Sequence, residues 1–289
     1  MEWFLLLLGV VMETGKNVFS NNFSKNVLKN DADVYKFNTM LYIGSFLILL
    51  VLMVYTGKWY VSGFTVITSL IFAVVTMASQ LFFVKALQYG SMAFTTFVQG
   101  ANLVIPTLFG ILVYQADGSV LQLISVAFLL VAMALVLNVK KEKINKKWLL
   151  YAMLSMVFVG CIGIMQSVHQ ESEAHKGELL GFLTLAFLFA VLFNAVLWIL
   201  YAKKEKATFS VKSSAVVQAA SSGIFMGIVN VLYLYLAGVM NKVIFFPISN
   251  VGLIFATAIC GVIFFREKMN KKQIAGLILG VAAICGIGM

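Results

Sequence analysis

Polar positions in this chain come in short clusters, and between the clusters lie apolar stretches about twenty residues long. A hydrocarbon core roughly 30 Å thick is crossed by about 20 helical residues at ~1.5 Å each. The pattern therefore predicts membrane-crossing helices over residues 2–22, 37–56, 63–86, 91–114, 119–139, 147–167, 179–201, 213–236, 242–265 and 272–289. The runs are too long and too continuous for the alternating strands of a barrel. The predicted class is an all-α membrane protein with ten transmembrane helices.

The first span breaks the apolar rule. In MEWFLLLLGVVMETGKNVFSNN, Glu13 falls about 15 Å in from Trp3, the middle of a hydrocarbon core. An ionised side chain there costs at least about 2.5 kcal/mol, so it is expected to face a partner, a cavity or a pathway. Lys16, Asn17 and Ser20 follow at i+3, i+4 and i+7, which makes one helix face polar. With no basic leader and no small-residue cleavage pattern, this span is expected to stay in the mature protein.

The two halves of the chain can be laid over each other. Residues 86–136 align without gaps on 237–287, pairing Phe94 with Phe245, Gln99 with Asn250 and Gly110 with Gly261; at the front, Trp3 pairs with Trp148 and Gly15 with Gly160. Five spans per half insert the second half upside down. The expected organisation is two inverted five-helix repeats, 1–139 and 147–289, joined by a basic linker at 140–146.

Composition agrees with the class: 62% hydrophobic and 11% charged residues exclude an ordinary soluble domain. The net charge of +10 lies mostly in the connections after spans 1, 3, 5, 7 and 9, a topology signal and not a nucleic-acid surface. Those connections are expected to be cytoplasmic, with both termini outside, in the cell membrane. The three cysteines, Cys161, Cys260 and Cys285, lie within spans without metal-ligand spacing and read as packing residues. No HExxH, GxSxG or clustered His/Asp/Glu group suggests an enzyme. His169 and His175 are expected in a solvated loop, and Glu267 beside local cations at the surface.

Two five-span halves, the FFREK stretch at 264–268 and KKQIAGLILGVAAICGIG at 271–288 resemble the drug/metabolite transporter superfamily of the EamA type. SNVG at 249–252 and Glu13 in VMETGKNV also resemble the small multidrug resistance proteins, whose first-span glutamate binds protons and cationic substrates. Here Lys16 is an addition to that motif, and Phe158 stands at the position matching Glu13 in the second half. The resemblance implies spans 1–4 and 6–9 around a central cavity, with spans 5 and 10 as outer supports. It favours export of a metabolite or cation by alternating access, with protons as one coupling option. Uptake of an amine or amino acid, and a passive channel or scramblase, stay open.

The candidate substrate- or proton-binding residues are Glu13, Lys16 and Asn17 in span 1, Gln80 in span 3, and Thr95, Gln99 and Asn102 in span 4. Asn230 in span 8 and Ser249 and Asn250 in span 9 complete the set. Glu13 and Lys16 read either as a transport site or as a structural ion pair. The expected partners are a small-molecule substrate, protons and membrane lipid. No cofactor or metal is called for, and monomer and homodimer are both compatible with the repeat.

Overall fold

The computed structural model describes residues 1–105, 109, 119–137, 145–172, 174–206, 213–240 and 242–287, and among these it is all-helical. The helices are α1 (Glu2–Asn26), α2 (Asp31–Thr56), α3 (Gly63–Tyr89), α4 (Met92–Gly100), α5 (Val120–Leu137), α6 (Lys146–Glu171), α7 (Leu179–Lys204), α8 (Ser213–Val239), α9 (Lys242–Phe265) and α10 (Lys271–Ile287). A 3₁₀ turn at Ala101–Leu103 follows α4. Residues 140–144 of the expected linker and the aligned Gly110 lie outside the described residues.

Local chemistry sets where the helices begin. Asn30, Ser62, Ser91 and Asn145 cap α2, α3, α4 and α6, their side-chain oxygens accepting from Asp33, Thr65, Phe94 and Lys147 N–H. Among the described residues, six helices are long and apolar enough to cross a membrane: α2, α3, α6, α7, α8 and α9. α1 stands apart from them because it is interrupted by charge. α10 has 17 residues, and α4 is described over only nine.

The packing follows a regular exchange. α1 lies against α8 and α9, while α6 lies against α3 and α4; α2 lies against α8, and α7 against α3. α2 with α7, α4 with α9, and α5 with α10 are further pairings, and α1 also lies against α3. Replacing each helix by the one five places along turns these pairings, α1–α3 apart, into one another. α5 and α10 pack chiefly on each other.

The α2–α8 crossing depends on glycine. Gly44 lies against the Gly223 backbone, and the Ser45 hydroxyl donates to Gly223 O at 3.0 Å. A Cβ on Gly223 would collide with the Leu41 carbonyl oxygen, a backbone atom that no rotamer change moves.

Hydrogen bonds tie the bundle at both ends. At one end Lys85 bridges Asp31 at 2.8 Å, Glu205 accepts from Ala32 N–H at 3.0 Å, and the Trp148 indole donates to Thr95 at 2.8 Å. Glu267 is not paired with local cations as expected: its carboxylate accepts from Met92 N–H and from Ala93 N–H, capping α4 from the other half of the chain. It fits because Gly261 has no side chain, and left-handed Arg266 turns the chain back over it. Lys25 donates to Gly90 O at 2.7 Å nearby, and burial lowers its pKa against the opposing pull of Glu267.

At the other end Glu178 accepts from the Ser62 N–H at 2.7 Å and from the Ser62 hydroxyl at 2.9 Å. His169, expected in a solvated loop, is fully buried, with its ring stacked on Phe182 and its Nε2 3.1 Å from the Thr65 hydroxyl. Burial lowers the His169 pKa, Glu178 opposes the shift and His175 adds to it. Burial alone would raise the Glu178 carboxyl, but hydrogen bonds from Ser62, Thr65 and His175 hold it at about 2.

Gly223→Ala should lower the melting temperature of the detergent-purified protein, by about 1–3 kcal/mol of stability. Gly63→Ala, whose Cβ would meet nothing within 4 Å, should leave it unchanged. Because the Glu178 pKa is depressed from 4.5 to about 2, its stabilisation is complete above 4.5 and is lost as pH falls through 2. Glu178→Gln should therefore melt earlier than wild type at pH 7, with a difference that narrows at pH 3.

Candidate functional site

The polar positions of the helices around α1 converge on one cavity of about 410 Å³. α1 contributes Glu13 and Lys16; α3 contributes Thr76, Ser79 and Gln80, one turn of a single face. From α4 and its 3₁₀ turn come Thr96, Gln99, Gly100, Asn102 and Leu103. α6 presents Val159, Ile162, Gly163 and Gln166, while α8 presents Met226, Val229, Asn230 and Tyr233. α9 closes the wall with Ser249, Asn250, Leu253 and Ile254. Every element here faces its neighbours at i, i+3 or i+4, so the cavity is built from helical periodicity alone.

Glu13 and Lys16 form an ion pair at 3.8 Å, with side chains 22% and 13% exposed. The ammonium also sits 5.9 Å from the centre of the Phe83 ring. The Tyr233 hydroxyl, on the same wall, is buried without a hydrogen-bond partner. Gln99 donates to the Ser155 hydroxyl at 2.9 Å, and Ser155 donates to Ser79 O at 3.2 Å, so one amide is held in place. Asn102 and Asn230 each donate to a carbonyl of their own helix, at 2.8 Å. Gln80 Nε2 and the Thr76 and Thr96 hydroxyls are buried without hydrogen-bond partners.

Of the residues singled out from the sequence, Glu13, Lys16, Gln80, Gln99, Asn102, Asn230, Ser249 and Asn250 line this cavity. Thr95 does not: α4 turns Thr96 and Gln99 inward, and Thr95 is fully buried against Trp148. Asn17 is fully buried beyond the cavity floor. Gln166 and Thr96 escaped sequence reasoning. For Gln166 the signal was available, since it is an amide in a largely apolar span, in register with Val159, Ile162 and Gly163. No group of three or more His, Cys, Asp or Glu that could hold a metal is present among the described residues.

Apolar helices of membrane-crossing length around a polar cavity define a multi-pass membrane protein of the transporter class. The chain belongs to the sugar transport protein family, whose profile matches residues 34–288. The transporter reading drawn from the EamA resemblance agrees with this at the level of class. No curated protein matches the chain. One solved structure, described simply as the crystal structure of a protein, superposes with a TM-score of 0.63 over 97% of both chains. At 12% identity it shows the shared fold alone.

The ion pair generates a stability test. Lys16→Met should destabilise the protein by about 2–3 kcal/mol, less than for a fully buried pair because the cavity admits water. The double variant Glu13→Gln, Lys16→Met should recover most of that loss, a coupling that thermal melts of the full mutant cycle would measure.

Proposed function

We propose that the chain is a secondary transporter carrying a neutral, polyhydroxylated solute of monosaccharide size through the central cavity by alternating access. The observation that carries this reading is the chemistry of the lining. Amides from α3, α4, α6, α8 and α9 offer donors and acceptors side by side, the complement of adjacent hydroxyls on a sugar ring. A volume of about 410 Å³ lies at the small end of ligand pockets, which run from ~300 to ~1,000 Å³. The family's description, sugar transport protein, points the same way.

The charge balance favours a neutral solute. Glu13 is already neutralised by Lys16, so no lone carboxylate awaits a cation of the kind the small multidrug resistance resemblance suggests. The same pair offers a coupling device: protonating Glu13 frees Lys16, and a bound hydroxyl takes the vacated partner. Two inverted five-helix repeats in ten spans supply the symmetry such a cycle uses. The helix pairings that survive a shift of five, and the lysine bias of alternate connections, support that architecture. On this reading the lysine-rich end is cytoplasmic. Export and uptake are then one cycle run under opposite gradients.

Purified protein in proteoliposomes should show saturable counterflow of one or more labelled aldoses, and Glu13→Gln should abolish its pH dependence. Counterflow of amines or lipophilic cations with none for any neutral sugar would sink the substrate reading, and flux that never saturates would replace the carrier by a channel.

A further inference from the structure

The cavity stops at Lys16, but the polar face of α1 does not. Asn17, Ser20, Asn21 and Ser24 continue it at helical spacing towards the Lys25 end, and the first three are fully buried. Ser24 is satisfied: its hydroxyl lies 2.8 Å from Ser20 O and 2.9 Å from Val84 O. The three residues above it are not. Neither polar atom of the Asn17 amide, neither of the Asn21 amide, nor the Ser20 hydroxyl has a hydrogen-bond partner. α8 adds to this row. Its Ser222 hydroxyl donates to Lys16 O at 3.4 Å, so Gln218, one turn further towards the Lys25 end, stands level with Ser20. The Gln218 Oε1 is likewise buried and unpartnered.

Buried amides without partners are rare in folded proteins because each forfeits its hydration and gains nothing in return. A run of them leading from a polar cavity to one end of the bundle is what a wet passage becomes when its walls close. The closing groups are present. Phe83, Leu87 and Met92 are fully buried together with Val18, Cys260 and Phe265 packed on them. Just beyond, Glu267 holds the α4 N-terminus from the other half of the chain.

We propose that Asn17, Ser20 and Asn21 line the closed half of the solute path, from the central cavity to the lysine-rich end, and that the Glu267 cap on α4 is its latch. The inference rests on the transport reading above. In the open conformation these amides are hydrated and then exchange water for the hydroxyls of the passing solute. In the closed one they are dry. Releasing the cap lets α4 and α9 separate at that end.

Two measurements test it. In a chain whose Cys161, Cys260 and Cys285 are replaced by alanine, Ser20→Cys and Asn21→Cys are exposed in proteoliposomes to a charged methanethiosulfonate reagent. The reagent is applied from one face at a time, during labelled d-glucose counterflow. Modification should occur only from the lysine-rich face and rise about fivefold when Glu267→Gln weakens the cap. Ala73→Cys, buried in the helix core, should stay unmodified throughout. In the second measurement, Asn21→Leu removes an unpartnered amide from the closed state. It should raise the melting temperature while slowing counterflow about tenfold.

Intact counterflow with Ser20→Cys and Asn21→Cys unmodified in both backgrounds would overturn the inference and leave the transport reading standing. A lower melting temperature with unchanged counterflow in Asn21→Leu would do the same, because it marks a purely structural amide. Absence of counterflow for every sugar in the wild-type protein would overturn both.

Discussion

An ammonium and a carboxylate one turn apart in the middle of an apolar bundle must be met by polar neighbours, and the arrangement of the other helices answers that demand. α3, α4, α8 and α9 each turn an amide or hydroxyl towards the Glu13–Lys16 pair, and α6 adds Gln166. α2 and α7 contribute nothing to the lining; their role is to press on each other and on the helices that do. The bundle is thus organised around a polar axis, with apolar contacts arranged concentrically about it. A soluble protein inverts this order, burying its apolar side chains and leaving its charges outside.

The same constraint explains why so many contacts are made by small residues. Hydrophobic burial gives no net drive for helix association where the surroundings are themselves apolar, so close backbone approach and a few interhelical hydrogen bonds must suffice. Gly44 against Gly223, with the Ser45 hydroxyl on the Gly223 carbonyl, is one such contact. Gly261 beneath the Glu267 carboxylate is another, and it leaves room for the hydrogen bonds by which Glu267 joins the two halves of the chain. Contacts of this kind are geometrically specific and individually weak. They hold one conformation without excluding a second.

Much of this was legible in the amino-acid sequence because apolar run length and helical spacing are local properties. α3, α4 and α6 start within a residue of the expected spans, whereas α2 starts at Asp31 and not at 37, because Asn30 caps a polar first turn that apolar run length does not register. The polar face of α1 is readable from four residues at i, i+3, i+4 and i+7. What escaped were relations between distant segments. Nothing in FFREK says that Glu267 reaches the first turn of α4, and nothing around His169 says that Phe64, Thr65 and Phe182 enclose it. The choice of Thr96 over Thr95 for the cavity depends on the rotation of one short helix before its 3₁₀ turn, a difference of about 100° that sequence leaves open.

The tie at the Ser62 end has a consequence for energetics. Its carboxylate stays ionised in surroundings a hundredfold more acidic than would neutralise an ordinary glutamate, since about 2 against 4.5 is more than two decades of proton activity. That end of the molecule can face an acidified compartment with its Glu178 tie intact.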